Sequence, residues 1–149
     1  MSQLQLRRRI LGIDLGKARI GVAVSDELGM LAHPVETIPA GSDALKRIAQ
    51  IVKEKDAERV IVGLPRHMNG TVGTGASDAL AFAEKLRGVV SCEVITWDER
   101  LTTTAANRAL RASGRKTRDS RAFVDQVAAQ MILQGYLDSL GGGAIAHDI

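Results

Sequence analysis

Residues 9–26 read "RILGIDLGKARIGVAVSD", and this stretch decides the fold. It holds two apolar runs, 9–14 and 19–25, joined by a link too short for a crossover, which predicts two antiparallel neighbouring strands. One carboxylate, Asp14, interrupts the first run. Burying an ionised carboxylate costs several kcal/mol unless positive charge meets it. Asp14 therefore either ends the strand at a turn or lies where a cation binds.

The segments after residue 26 predict a mixed α/β domain. A third strand over 30–38 completes a meander, and Pro34 favours an edge position for it because proline cannot donate to a ladder. From there helices and strands alternate, which requires parallel pairing of the later strands. The expected fold is a five-stranded mixed sheet, with three antiparallel strands and then two parallel ones, flanked by helices. The later elements are a helix capped by Ser42 with Leu45, Ile48 and Val52 on one face, a strand over 59–65, a helix with Ala79, Phe82, Ala83 and Leu86 on one stripe, a strand over 92–97 and helices near 103–112 and 121–140.

The totals fit one domain, because 149 residues with 45% hydrophobic and 25% charged residues can bury a core without disulfides. Residues 9–140 form the predicted ordered core, and the glycine-rich end, 141–149, is predicted to be flexible. No apolar run reaches the ~18 residues that a bilayer needs, so we expect no membrane partner and a cytoplasmic location. The single Cys92 fits a buried thiol. Aromatic residues make up only 3% of the chain, which argues against a nucleic-acid binder built on stacking.

Positive charge is concentrated between residues 100 and 121. This segment holds seven arginines and lysines against one aspartate, an excess larger than the formal net charge of +3 of the whole chain. Such a local excess favours a phosphate-rich partner, although a solvated surface has the same composition. The glycine-rich segment 63–76, "GLPRHMNGTVGTGA", can offer backbone N–H groups to phosphate or serve as a simple turn. It lacks the Gly-Lys-Ser/Thr of an NTPase loop, and neither His33 nor His67 has a ligand-spaced partner.

Three acids stand at positions that the predicted topology brings to one edge of the sheet. Asp14 lies on the first strand, Glu99 just past the strand over 92–97, and Asp125 near the start of the last helix. Functional groups of open sheets gather beyond the carboxyl ends of parallel strands. Converging carboxylates repel one another unless cations are bound, and oxygen-only ligands favour Mg²⁺ or Mn²⁺. A pair of such ions, about 4 Å apart, activates water in phosphodiester hydrolysis.

Spacing alone leaves an alternative open for each acid. Asp98 competes with Glu99, because neighbouring residues of a strand face opposite sides and only one of the two can point into the site. Asp14 can instead end its strand in an Asx turn, Glu99 can pair with a nearby arginine, and Asp125 can be a first-turn helix acid.

Four motifs in order resemble the YqgF/RuvX family, bacterial proteins described as candidate pre-16S rRNA nucleases and as Holliday-junction-resolvase-like. The motifs are "GIDLGKARIGVAVSD", "VGLPRHMNGTVGTGA", "DERLTT" and "VDQVAAQMILQGYL", and they span about residues 9–140. The resemblance implies an RNase H-like fold and cleavage of a nucleic-acid backbone that depends on Mg²⁺ or Mn²⁺. It implies that the catalytic and metal-binding acids are Asp14, Glu99 rather than Asp98, and Asp125.

The resemblance also implies a substrate, the 5′ end of precursor 16S rRNA, cut by in-line attack of water to leave a 5′-phosphate and a 3′-hydroxyl. Few aromatic side chains are present to read bases, so substrate shape is expected to set specificity. One departure is Asn69 in the glycine-rich segment, where the family more often has aspartate; the change removes a charge and argues against a metal role for that loop. Basic residues are expected to hold the flanking phosphates through salt-sensitive contacts. They are Lys17, Arg19, Arg66, Arg100, Arg108, Arg111, Arg115, Lys116, Arg118 and Arg121.

Three other functions compete with an rRNA nuclease. The same chemistry on four-way DNA junctions needs two coordinated cuts and therefore a symmetric dimer, and the sequence leaves monomer and homodimer open. An ATP-binding protein of the actin and Hsp70 type shares "GIDLG" but needs two related domains, too many for this length. A non-catalytic RNA-binding assembly factor would keep the fold and use the acids structurally.

Overall fold

A five-stranded sheet with helices on both faces makes up the part of the chain that the computed structural model describes, residues 8–65, 74–99 and 120–147. The five predicted strands are confirmed, and their ends move by at most two residues. The predicted helix near 103–112 lies outside the described residues. The elements are β1 Arg9–Leu15, β2 Arg19–Ser25, β3 Ala32–Pro39, α1 Ala44–Lys55, β4 Ala57–Leu64, α2 Thr74–Arg87, β5 Glu93–Asp98 and α3 Ser120–His147.

The strand that carries Asp14, β1, lies at the centre of the sheet. The strand order is β3-β2-β1-β4-β5. The pairs β1–β2 and β2–β3 are antiparallel, whereas β1–β4 and β4–β5 are parallel, which confirms the predicted mixed sheet. The edge position predicted for β3 is also confirmed, and its register with β2 shifts where Pro34 lies opposite Ala23.

Strand residues alternate between two cores, one on each face of the sheet. On β2, Ile20 and Val22 pack with residues of α1 and α2, whereas Ala23 packs with residues of α3. On β4, Val62 belongs to the first core and Ile61 to the second. Successive residues of a strand point to opposite faces, so one face is covered by α1 and α2 and the other by α3.

Three glycines let α3 lie directly on the centre of the sheet. A Cβ on Gly12 of β1 would lie 2.7 Å from the Cβ of Leu133. A Cβ on Gly21 of β2 would overlap the carbonyl oxygen of Asp125, and one on Gly63 of β4 would also press against α3. A glycine inside a strand commonly marks such a close approach. A side chain at any of the three positions would push the helix away from the strands.

The start of α1 and the end of α3 differ from the positions that the sequence predicts. The N-cap of α1 is Asp43 rather than Ser42, and no side chain caps this end, because backbone hydrogen bonds close the turn. The helix α3 continues to His147 rather than ending at residue 140. Each glycine in 141–143 weakens a helix by about 1 kcal/mol relative to alanine but does not prevent one. The flexibility of the chain end stays a prediction. Within the described ranges, none of the helices is both long and apolar enough to cross a membrane.

The substitution Gly12→Ala tests how closely α3 lies on the sheet. The added methyl group has to displace Leu133 or the helix backbone, so the free energy of unfolding should fall by about 1–3 kcal/mol, measured by urea denaturation. Gly88→Ala is the matched control, because a Cβ there meets nothing closer than 3.4 Å, and its effect should stay below about 1 kcal/mol. Equal effects of the two substitutions would contradict the close approach of α3.

Candidate active site

Asp14 lies near the end of β1, on the face of the sheet that α3 covers. Its antiparallel neighbour on β2 is Gly21. On β4, Gly63 directly follows Val62, the register partner of Ile13. Neighbours in register share a face of the sheet, so Asp14 has a glycine on either side. The two missing side chains leave space beside its carboxylate for groups from α3 and from the end of β5.

Glu99, the residue directly after β5, brings a second carboxylate to this place. A Cβ on Gly63 would lie 3.0 Å from Glu99 Oε2, so the Glu99 side chain reaches over β4 towards Asp14. Asp98 instead pairs in register with Leu64, whose side chain belongs to the core on the opposite face. In the structure, Glu99 rather than Asp98 therefore lies on the face of the sheet that carries Asp14.

Asp125 of α3 brings the third carboxylate. Its backbone lies against Gly21, the register partner of Asp14. The Nε–H of Arg19 donates a hydrogen bond to Asp125 Oδ2 over 2.7 Å. Because α3 begins at Ser120, Asp125 lies in the second turn of the helix, so the first-turn explanation of this acid does not apply.

The electrostatics show that these carboxylates share one environment. Burial raises the pKa of Asp14 to about 6, and the charge of Asp125 contributes to the rise. Burial raises the pKa of Glu99 to about 7, with further contributions from the charges of Asp14 and Asp98. The charge of Asp125 therefore acts on Asp14 and the charge of Asp14 acts on Glu99, and a cation between such carboxylates would relieve the repulsion.

The chemistry of these three acids fits a hard divalent cation. All the donor atoms are carboxylate oxygens, which favour Mg²⁺ or Mn²⁺ over zinc. Across the described residues, however, no three His, Cys, Asp or Glu side chains are already arranged as a metal site. Arg19 holds Asp125 Oδ2, so a shared ion would have to use the other carboxylate oxygen or compete with Arg19 for this one. The donor set therefore fits a divalent metal.

The basic residues predicted to bind phosphate fall into four groups. Lys17 is exposed in the turn between β1 and β2, where it is accessible to a polyanion. Arg19 is engaged by Asp125, a partner that its predicted phosphate-binding role did not include. Arg121 belongs to α3, but its side chain is not among those that the structure describes. Outside the described residues lie Arg66, Arg100, Arg108, Arg111, Arg115, Lys116 and Arg118, together with Asn69 and His67.

Two features of the site were missed by sequence reasoning. The pair Arg19–Asp125 joins residues 106 positions apart, and no spacing rule connects them. The role of Gly21 and Gly63 had a usable signal, because glycine within a β-branched strand points to a close backbone approach. Applied to residues 19–25, this rule would have predicted that another element lies directly on β2.

The chain matches a protein-family model described as "RuvX: Holliday junction resolvase" over residues 8–139. A protein of Acetivibrio thermocellus named "Putative pre-16S rRNA nuclease" is 50% identical over 137 residues, covering 89% of this chain and 97% of that protein. A protein of the same name from Nocardia farcinica is 52% identical over 141 residues, covering 89% and 78%. One from Bacillus thuringiensis is 43% identical over 135 residues, covering 88% and 98%.

Two solved structures share the fold at low sequence identity. Thermus thermophilus RuvC in complex with a Holliday junction substrate superposes with a TM-score of 0.57 at 14% identity, covering 91% of this chain and 97% of that one. The Holliday junction resolvase of fowlpox virus gives a TM-score of 0.51 at 13% identity, covering 89% and 99%. This likeness confirms the predicted RNase H-like fold.

The raised pKa of Asp14 predicts how stability depends on pH. In the unfolded chain this carboxyl titrates near 3.8, and in the folded protein near 6. Between these values the folded state binds more protons than the unfolded state, so the free energy of unfolding falls as pH rises. Below about pH 3.8 the folded protein carries no penalty for a buried charge on Asp14, and above about pH 6 it carries the full penalty.

Asp14→Asn should therefore stabilise the metal-free protein at pH 8, by up to roughly 3 kcal/mol, with no such gain at pH 4. Urea denaturation at the two pH values measures the difference. Asp78→Asn, at an exposed position on α2, is the matched control and should change stability little at either pH. A gain from Asp14→Asn that is the same at pH 4 and pH 8 would contradict a charge penalty at this carboxylate.

Proposed function

The chain belongs to the RuvX family, and we propose on that basis that it is a metal-dependent nuclease that matures the 5′ end of precursor 16S rRNA. The names of its relatives and its RNase H-like fold support a phosphodiester-cleaving hydrolase in rRNA processing. The observation that carries the metal dependence is the interaction of the Asp14 carboxylate with those of Glu99 and Asp125. The expected cytoplasmic location stays a prediction.

The three carboxylates would hold Mg²⁺ or Mn²⁺. When bound, the cation supplies positive charge that favours ionisation of an attacking water and neutralises the cleaved phosphate. Asp14 anchors the site because its backbone belongs to the central strand. Glu99 reaches the site over the bare backbone of Gly63. In the proposed reaction the water oxygen bonds to phosphorus as the bond to the 3′ oxygen breaks, leaving a 5′-phosphate and a 3′-hydroxyl.

Contacts to the flanking phosphates are assigned to basic residues near these acids. Lys17 is exposed in the turn that follows β1, three residues after Asp14 in the sequence. A lysine at this position can hold a phosphate as a point charge without reading sequence. The arginine-rich segment 100–121 follows Glu99 directly in sequence, which supports its assignment to the flanking phosphates. Binding of this kind weakens steeply with salt.

A cleavage assay tests the proposed function. Labelled precursor 16S rRNA is incubated with the protein and Mg²⁺ or Mn²⁺, and the 5′ ends of the products are mapped. Asp14→Asn should reduce the cleavage rate by at least about 10²-fold, because it removes one of the charges that hold the cation. Asp98→Asn is the matched control, because Asp98 is also an acid and is adjacent to Glu99 but faces the opposite side of the sheet. This variant should retain most of the activity.

Cleavage that survives Asp14→Asn would contradict the assigned mechanism. Tight, salt-dependent RNA binding with no cleavage in either metal would favour the non-catalytic assembly factor instead.

A second candidate function is resolution of four-way DNA junctions, which the description of the matching family model favours. Two coordinated cuts require a symmetric dimer. If this is the function, sedimentation with a four-way junction should reveal two copies per junction, and both opposing strands should be cut. A monomer that leaves junctions intact while it cuts precursor RNA would exclude this candidate.

A further inference from the structure

Arg19 and Asp125 form an ion pair at the edge of the three acids. The distance from Arg19 Nε to Asp125 Oδ2 is 2.7 Å, and the two side chains are 38% and 23% exposed. The pair is thus partly shielded from water. A hydrogen bond between charged groups is stronger in such a position than on an open surface. Among the described residues, Asp125 is the one of the three acids that forms a salt bridge.

The backbones on both sides of this pair are fixed by the fold. Arg19 is the first residue of β2, and its carbonyl oxygen accepts a hydrogen bond from the N–H of Gly16 over 2.9 Å. Arg19 lies two residues before Gly21, so both face α3. Asp125 lies directly on Gly21. The close approach of α3 to β2 therefore brings this guanidinium and this carboxylate together.

The guanidinium and a divalent cation make opposing demands on Asp125. While Arg19 holds Oδ2, the carboxylate is already neutralised, and the arginine's positive charge repels an incoming cation. A cation that recruits Asp125 would have to displace Arg19 or share the carboxylate against its repulsion.

We propose that Arg19 is a built-in counter-ion that neutralises Asp125 in the metal-free protein and competes with the divalent cation for it. This inference rests on the proposed metal dependence. Displacement frees the guanidinium, and a nearby phosphate is then the natural acceptor for it. Because a phosphate and a metal would each separate Arg19 from Asp125, binding of either would favour binding of the other.

Metal-binding titrations test this competition without relying on cleavage. Mn²⁺ alone is titrated into the full chain by isothermal calorimetry at constant ionic strength. Arg19→Gln removes the competing charge and should tighten Mn²⁺ binding about tenfold. Arg19→Lys keeps a charge at this position and should bind more like the parent protein. Arg19→Met repeats the neutral substitution with an apolar chain, in case the glutamine variant does not fold.

Two further variants separate the ion pair from general electrostatics. Lys17→Gln removes a positive charge from the same turn region, and Arg47→Gln removes one from α1, where Arg47 pairs with Glu36 on the other face of the sheet. Each should change Mn²⁺ affinity less than about threefold. In a background of Asp125→Asn, the effect of Arg19→Gln should disappear, because its partner is absent.

Unchanged or weaker Mn²⁺ binding by folded Arg19→Gln and Arg19→Met would overturn the inference, and so would an equal gain from Lys17→Gln. If the parent protein binds Mn²⁺ and only the arginine effect is missing, the proposed function is unaffected. If neither the parent protein nor any variant binds Mn²⁺, the proposed metal dependence fails and the inference fails with it.

Discussion

The site depends on one constraint, that a helix must lie directly on the middle of the sheet. Gly12, Gly21 and Gly63 make this possible, because any side chain at these positions would meet α3. The same approach brings Asp125 to the strand beside Asp14. Packing of the helix and assembly of the carboxylates therefore rest on the same contacts, and a substitution that lifts α3 would disturb both.

Burial of Asp14 opposes the stability of the metal-free protein at neutral pH. Its pKa and that of Glu99 are raised first by burial and then by neighbouring negative charge. An arrangement that is unfavourable in the empty protein and relieved by a bound cation is common at functional sites. Arg19 supplies part of the missing positive charge through Asp125. In this account, the protein keeps its third acid neutralised until the cation and the nucleic acid arrive.

Much of the architecture could be predicted because it depends on local patterns. The edge position of β3 follows from Pro34, and the central position of β1 follows from a meander joined to parallel strands. The choice between Asp98 and Glu99 could not be made from spacing, because it depends on the strand's register relative to α3. The partner of Arg19 could not be predicted either, since an arginine and an aspartate far apart in sequence meet only through the tertiary fold. The predicted phosphate contacts between 100 and 119 lie outside the described residues and stay predictions.

The most direct test is a crystal of the protein soaked in Mn²⁺ and measured for anomalous scattering. The account predicts a peak bounded by carboxylate oxygens of Asp14, Glu99 and Asp125, with the guanidinium of Arg19 moved off Asp125. Full Mn²⁺ occupancy elsewhere with none among these acids, or the three carboxylates turned into separate surroundings, would contradict the proposed nuclease mechanism.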